Sequence, residues 1–170
     1  MHPRATIDFE TRSVAKIKNV GGWIYSVHPS TQPLCLAFAL KEDDEPRLWA
    51  PDWTIKIVGP WYFEKYGVPI DMDCPWLYAG DCPQDLAAAI AQNSEIEAHN
   101  AFFERSIWNN VMVPIFDWPR IKEEQWRCSA AKASAYALPR ALEDAVKALG
   151  LPFPKDMEGI GGQLHFMRPS

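Results

Sequence analysis

Hydrophobic and polar positions alternate through Ala5-Thr6-Ile7-Asp8-Phe9-Glu10, a period of two that predicts a strand with one buried face over Ala5–Phe9. A bend at Gly21-Gly22 leads into Trp23–Val27, which reads as a second strand, and Pro33–Leu40 reads as a third. Strands so closely spaced predict an antiparallel meander, with Lys41–Glu45 as a charged turn. From Trp49 to Ala79 the chain is rich in Pro and Trp and shows no clean period. That stretch is expected to be irregular, with a short helix around Trp61–Tyr66.

Further on, the pattern lengthens to helical spacing. Asp81 with Gln84 three positions later reads as a capping box opening a helix over Pro83–Gln92. Ile96–His99 reads as a short strand, followed by a helix from Ala101 to Met112 that stops before Pro114. Another helix is expected over Gln125–Ala137, ended by Leu138-Pro139. The last spans Arg140–Leu149, with Gly150 as its left-handed cap. In it Leu142, Ala145, Val146 and Leu149 form the expected buried stripe, which leaves Asp144 on the solvent side. Glu143 and Lys147 are spaced to pair across one turn. Gly159–Gly162 and the tail through Ser170 read as loop. The order of elements predicts an α/β domain with a mixed sheet.

Composition narrows the class. With 170 residues, 48% of them hydrophobic, the chain is one domain with enough apolar surface for a core. No apolar run approaches a membrane span and no signal-peptide pattern is present. Cys35, Cys74, Cys82 and Cys128 form no C-x-x-C pair, so zinc is not expected and reduced cytoplasmic thiols are. A net charge of −5 argues against a protein held on duplex DNA by phosphate contacts. It leaves room for an enzyme that grips a strand end through cations, with a partner's Lys and Arg supplying the DNA track. Most of the eight tryptophans read as core and loop anchors, though Trp49, Trp53, Trp61 and Trp76 together form a candidate partner patch.

Asp8 and Glu10 carry the chemistry. On a strand, residues two apart face the same way, so both carboxylates share one face with Phe9 on the other. Two anionic side chains fixed side by side repel, and a hard divalent cation relieves that repulsion. A solvated acidic edge is the plainer account of the pair alone. A second patch, Glu97-Ala98-His99-Asn100-Ala101-Phe102-Phe103-Glu104-Arg105, shifts the balance.

Together the two patches resemble the proofreading-type 3′–5′ exonucleases of the DnaQ-like (DEDD) superfamily, above all the exonuclease domain of phage-encoded family A DNA polymerases. Asp8, Glu10 and Thr11 match the first motif, D-x-E followed by Thr. Asn100, Phe103 and Glu104 match the second, N-x-x-aromatic-acid, with Glu where Asp is commoner. Arg12-Ser13, His28-Pro29-Ser30-Thr31, Leu138-Pro139 and Lys155-Asp156 extend the likeness along nearly the whole chain. The resemblance implies a ribonuclease H-like fold in which the first strand pairs parallel with the fourth. It implies a two-metal site for Mg²⁺ or Mn²⁺ on Asp8, Glu10 and Glu104, acting on the 3′ end of single-stranded DNA. Thr11 and Phe103 would then lie against the terminal nucleotides, and Asn100 would help position the strand.

The family's third motif, Y-x-x-x-D or H-x-x-x-x-D, is absent. Tyr25, Tyr62, Tyr66, Tyr78 and Tyr136 are followed four positions on by Pro29, Tyr66, Ile70, Cys82 and Arg140. Of the histidines only His99 reaches an acid at the right spacing, and that acid is Glu104 of the second motif. The domain over 1–170 is therefore expected to be incomplete at its C-terminal end, with a further segment or a second polymerase polypeptide supplying the last acid. Asp156 and Glu158 are minor candidates for a substitute. If phage-encoded, the protein would work in the host cytoplasm. The rival reading is an exonuclease-like module without activity, serving as a polymerase subunit or an inhibitor of a host protein. A ribonuclease of the same superfamily is a third. The Gly159–Gly162 run lacks the Lys-Ser/Thr of a phosphate loop, and His99 reads as a structural residue at a strand end.

Overall fold

Alternation in β1 (Arg4–Arg12) sorts its side chains as expected. Ala5, Ile7, Phe9 and Thr11 are buried, while Thr6 and Asp8 reach solvent. The computed structural model describes residues 4–40, 45–73 and 75–151. β1 pairs antiparallel with β2 (Gln32–Ala39), setting Asp8 opposite Ala37 and Glu10 opposite Cys35, with a register shift between Glu10 and Thr11. β2 pairs antiparallel with β3 (Arg47–Ala50), and β3 pairs parallel with β4 (Leu77–Ala79). On its other side β1 runs parallel to β5 (Glu95–Ala98), and β5 parallel to β6 (Trp126–Cys128). The order β4-β3-β2-β1-β5-β6 makes a mixed sheet flanked by helices. This α/β arrangement is compatible with the ribonuclease H-like fold.

The helices are α1 (Ile17–Val27), α2 (Asp52–Tyr66), α3 (Gln84–Ala91), α4 (Phe102–Ile107), α5 (Val113–Phe116), α6 (Ser129–Ala135) and α7 (Leu142–Ala148). Ile7, Phe9, Leu36, Phe38 and Ile96 of the sheet meet Leu86 of α3, Ile107 of α4 and Trp108 in one buried cluster. Trp49 and Trp108 both pack edge-on against Trp118, at 4.8 and 5.0 Å between ring centroids. Burying each such side chain contributes roughly 1.5–3 kcal/mol. The indole N–H of Trp49 donates to the Gly80 carbonyl (3.0 Å) and that of Trp108 to the Pro119 carbonyl (2.9 Å), so neither polar group is stranded in the core. Trp49 thus belongs to the core, Trp53 lies under the Arg12 guanidinium, Trp61 contacts Tyr66 and Trp76 is exposed. Among the described residues no helix is long and apolar enough to cross a membrane.

Several local expectations are corrected. Trp23–Val27 is not a strand but the end of α1, in which Ile17, Val20, Ile24 and Val27 recur at helical spacing. The antiparallel meander is therefore β1-β2-β3. The expected bend does occur, inside the helix, where Gly21 adopts φ 76°, ψ 164°, a conformation essentially reserved for glycine. Residues 49–66 are not irregular: the end of β3 and α2 occupy them, and the short helix foreseen at Trp61–Tyr66 is the last part of α2, whereas the described residues from 67 to 76 before β4 are neither helix nor strand, as expected. Asp81 does not cap α3, which starts at Gln84 after Pro83 with no side-chain cap bond.

The helix from α4 also does not stop before Pro114. A π-helical turn over Trp108–Met112, in which Val113 N–H bonds to the Trp108 carbonyl, widens it just ahead of the proline. The wider turn tolerates a ring that would clash within a regular α-helix. In Gln125–Ala137 only Ser129–Ala135 is helical, because Trp126–Cys128 pairs with Ile96–Ala98 as a strand. At the end of α7, Leu151 N–H bonds to Val146 O and Gly150 N–H to Lys147 O, both at 3.1 Å, with Gly150 at φ 65°. Gly150 is the left-handed cap that was expected. Asp144 is exposed and Lys147 bonds to Glu143 at 2.6 Å. Of the expected stripe, however, Ala145 alone is fully buried, and Leu142 and Leu149 are exposed. Residues 41–44, Cys74, Asp156, Glu158 and the Gly159–Gly162 run lie outside the described residues.

Candidate active site

The pleat of β1 turns Asp8 and Glu10 to one face, opposite Phe9, whose ring packs edge-on against Trp108 with centroids 6.1 Å apart. The neighbouring parallel strand β5 ends at Ala98, and the chain turns through Asn100 into α4. Asn100 sits at φ 64°, a left-handed conformation that Asn tolerates better than most residues. Its carbonyl accepts the Phe103 N–H at 3.0 Å, which starts the helix. Glu104 follows in the first turn of α4. It is only 4% exposed, and its Oε2 has no hydrogen-bond partner among the described residues.

Electrostatics tie the three acids together. Burial pushes the Glu104 carboxyl up to about 8; its own backbone N–H opposes the rise, and the charges of Asp8 and Glu10 add to it. The surrounding protein also raises the pKa of Asp8, with His99 acting against the rise. On β2, Cys35 is pushed up to about 12 by burial and by Glu10 and Asp8. Two motifs far apart in sequence therefore share one neighbourhood of acid groups. The donors are all oxygens, the set that suits a hard cation, and the orphaned Oε2 of Glu104 is the kind of group such an ion satisfies. Among the described residues, no three His, Cys, Asp or Glu side chains stand close enough to hold a metal ion as they are.

Thr11 and Phe103 meet through Tyr25. The Thr11 hydroxyl and the Tyr25 phenol are 2.9 Å apart, and the Tyr25 and Phe103 rings are 5.9 Å apart. Thr11 is buried and Phe103 half-buried. Burial raises the pKa of the Tyr25 phenol, Thr11 opposes this, and Glu10 adds to it. Tyr25 thus connects the two motifs, a role missed by reading its segment as a strand. The helical spacing of its apolar neighbours was the signal that could have found it. Gly22 of α1 faces α4 here, and a Cβ at that position would make ordinary contact, at 3.4 Å, with the Phe102 ring.

His99 is a structural residue, as expected. Its Nδ1 lies 3.0 Å from Ser129 Oγ and its Nε2 lies 2.9 Å from the Arg140 carbonyl oxygen. With Nε2–H donating to the carbonyl, Nδ1 accepts from the serine hydroxyl. Arg140 in turn donates from Nη2 to Asn100 Oδ1 at 3.3 Å. The loop before α7 is thereby fastened to the end of β5.

With this geometry in view, the comparisons with known proteins are specific but narrow. No family model matches the chain. Over 160 residues, 91% of the chain, it is 29% identical to a DNA polymerase of Bacillus phage SP02. The chain is similar to part of a phage polymerase. It spans about a fifth of that relative's length, since the matched stretch makes up 19% of the polymerase.

Proposed function

We propose that this chain is a metal-dependent 3′–5′ exonuclease domain of a phage-type DNA polymerase. It would act on single-stranded DNA ends and need a further segment or second polypeptide for full activity. The observation that carries the reading is Glu104: a buried acid with an orphaned oxygen, pushed up to about 8, in the field of Asp8 and Glu10. An ionised acid in that position is costly to the fold, and a cation held there would offset the cost. Similarity to a phage DNA polymerase supports the link to replication.

Asp8, Glu10 and Glu104 would hold Mg²⁺ or Mn²⁺. The chemistry supplied by ions held there would be Lewis-acid activation of a water and charge stabilisation at the leaving 3′ oxygen. The chain's own residues do the rest. The strand fixes the spacing of Asp8 and Glu10, α4 presents Glu104, and Asn100, held by Arg140, would help position the DNA end. Tyr25 braces Phe103 and Thr11 behind the acids. With its carboxyl pushed up to about 8, Glu104 would hold a proton near neutral pH, and ion uptake there would release it.

The decisive experiment follows loss of label from a 3′-labelled single strand with Mg²⁺ or Mn²⁺. Wild type and Asp8→Ala are compared, each with and without the polypeptide encoded next to this chain. Stepwise shortening in the wild type alone is the expected result. Equal behaviour of the two proteins in every condition would leave the second reading, a module without activity. One observation favours that alternative: among the described residues no three acids stand close enough to hold an ion as they are. Calorimetry with Mn²⁺ separates the two, since the module would take up no ion.

A further inference from the structure

The chain is acidic overall, with a net charge of −5, yet the corner between β1 and α1 is basic. A cavity of about 370 Å³ there is lined by Arg12, Lys16 and Lys18, with Thr11 and Tyr25 also in its wall and no carboxylate among its lining residues. Arg12 is held by neutral partners: its Nε donates to Gln32 Oε1 at 2.9 Å, and its guanidinium lies 4.8 Å over the Trp53 ring. Among the described residues no acid pairs with Lys16 or Lys18, and both are exposed. The cavity adjoins the acids directly, because Thr11 follows Glu10 and the Glu10 charge acts on Tyr25.

A second basic cavity, of about 280 Å³, lies beyond the end of β5 and is lined by Arg105, Arg127 and Arg140. There Arg105 is paired with Glu123, and Arg127 with Glu95 at 2.9 Å. A phosphate entering it must compete with carboxylates at two of the three arginines, whereas Arg140 donates to neutral Asn100 at 3.3 Å. At the β1–α1 corner it need not.

We propose that the β1–α1 corner binds the phosphate backbone of single-stranded DNA beside the acids, an inference that rests on the exonuclease reading above. A phosphate contacting an unpaired lysine releases condensed counterions from the strand, a gain that net charge does not report. The chain therefore carries a strand track of its own, where composition alone assigned that task to a partner.

The test is fluorescence anisotropy with labelled oligothymidylate, in EDTA and over a salt series. Wild type is compared with a Lys16→Gln/Lys18→Gln double variant and with Arg127→Gln from the other cavity. Both lysines are exposed and outside any ion pair among the described residues, and circular dichroism checks that the fold is kept. The double variant should bind roughly tenfold more weakly at low salt. Its slope of log affinity against log salt should fall by about 1.4, two contacts at about 0.7 each. A Lys16→Glu/Lys18→Glu variant should lose more. Unchanged affinity and slope in the double variant overturns the proposal. So does a loss carried by Arg127→Gln instead, or a wild type that does not bind. Because no cleavage is needed, the outcomes separate: lysine-dependent binding by a chain that cuts nothing, even with the neighbouring polypeptide present, sinks the exonuclease reading and keeps the track. Cutting by a chain whose binding ignores the lysines does the reverse.

Discussion

Replacing Glu104 by Gln uses the protein's own stability to interrogate the acid site. In the folded chain its carboxyl titrates at about 8, against 4.5 for an ordinary glutamate. An acid whose folded pKa lies above its unfolded value destabilises the fold when it ionises. Below about pH 4.5 the group is protonated in both states and has no effect. Between the two pKa values the folded state binds one more proton than the unfolded, so stability falls by roughly 1.4 kcal/mol per pH unit. Above about pH 8 the full cost is present, on the order of 5 kcal/mol. That figure is an upper value, because local relaxation and water entry reduce the penalty of a buried charge.

Gln has nearly the same shape and no titration in this range. The stability difference between Glu104→Gln and wild type should therefore widen with pH, reaching roughly 3 kcal/mol near pH 7 and levelling above about pH 8. Any fixed offset from the new amide is independent of pH and drops out of the slope. Urea unfolding in EDTA, followed by the fluorescence of the buried Trp49, Trp108 and Trp118, measures it. Saturating Mn²⁺ should narrow the gap by stabilising the ionised carboxylate in the wild type alone. Parallel stability profiles from about pH 5 to 9 would refute the burial of Glu104 among like charges, and with it the main support for the catalytic reading.

Other perturbations probe neighbouring parts of the site. Gly21→Ala should lower stability by about 1–3 kcal/mol in thermal unfolding, because φ 76° with ψ 164° suits glycine alone; an unchanged melting temperature counts against the kink in α1. Tyr25→Phe removes the 2.9 Å bond to Thr11 but keeps the ring against Phe103, so a loss of about 1 kcal/mol in urea unfolding is expected. Thiol chemistry gives a separate check. Burial acts to raise the Cys128 pKa, but N–H groups of Ala131, Ala101, Asn100 and Ala130 outweigh it and the net shift is downward. Cys35 and Cys82 are pushed up to about 12. Iodoacetamide should label Cys128 before either of them, read by peptide mass spectrometry, and the opposite order would contradict this arrangement.

What the sequence made legible was whatever depended on short periods. Alternation in β1 located the strand and the shared face of Asp8 and Glu10, and the Gly150 cap followed from its place after a helical run. The α1 segment misled because Trp23, Ile24, Tyr25 and Val27 are strand-favouring side chains, and their helical repeat competed with that preference. Even recognised as a helix, α1 would have been given the wrong buried face: Ile17, Trp23, Ile24 and Val27 are all exposed, and Tyr25 and Ser26 are buried. β6 was unreadable for a different reason. Its three residues are a strand only because Ile96–Ala98 lies beside them, a non-local fact. The burial of Glu104 was likewise invisible, since it depends on elements assembled from distant parts of the chain.

Topology explains why these features gather at one edge. β1, β5 and β6 run parallel, so their C-terminal ends open on the same side of the sheet, where α/β proteins commonly place their crevices. Glu10 lies near the end of β1, and Asn100 and Glu104 follow the end of β5. Cys128 ends β6, and Lys16 and Lys18 come just after β1. At strand interiors the alternating pattern agrees with burial; at this edge it fails, with an acid buried and lysines left without carboxylate partners. Departures gathered at one edge in this way are what a binding site kept at some cost to stability would show. The aromatic core around Trp49, Trp108 and Trp118 is what allows the fold to carry that strain.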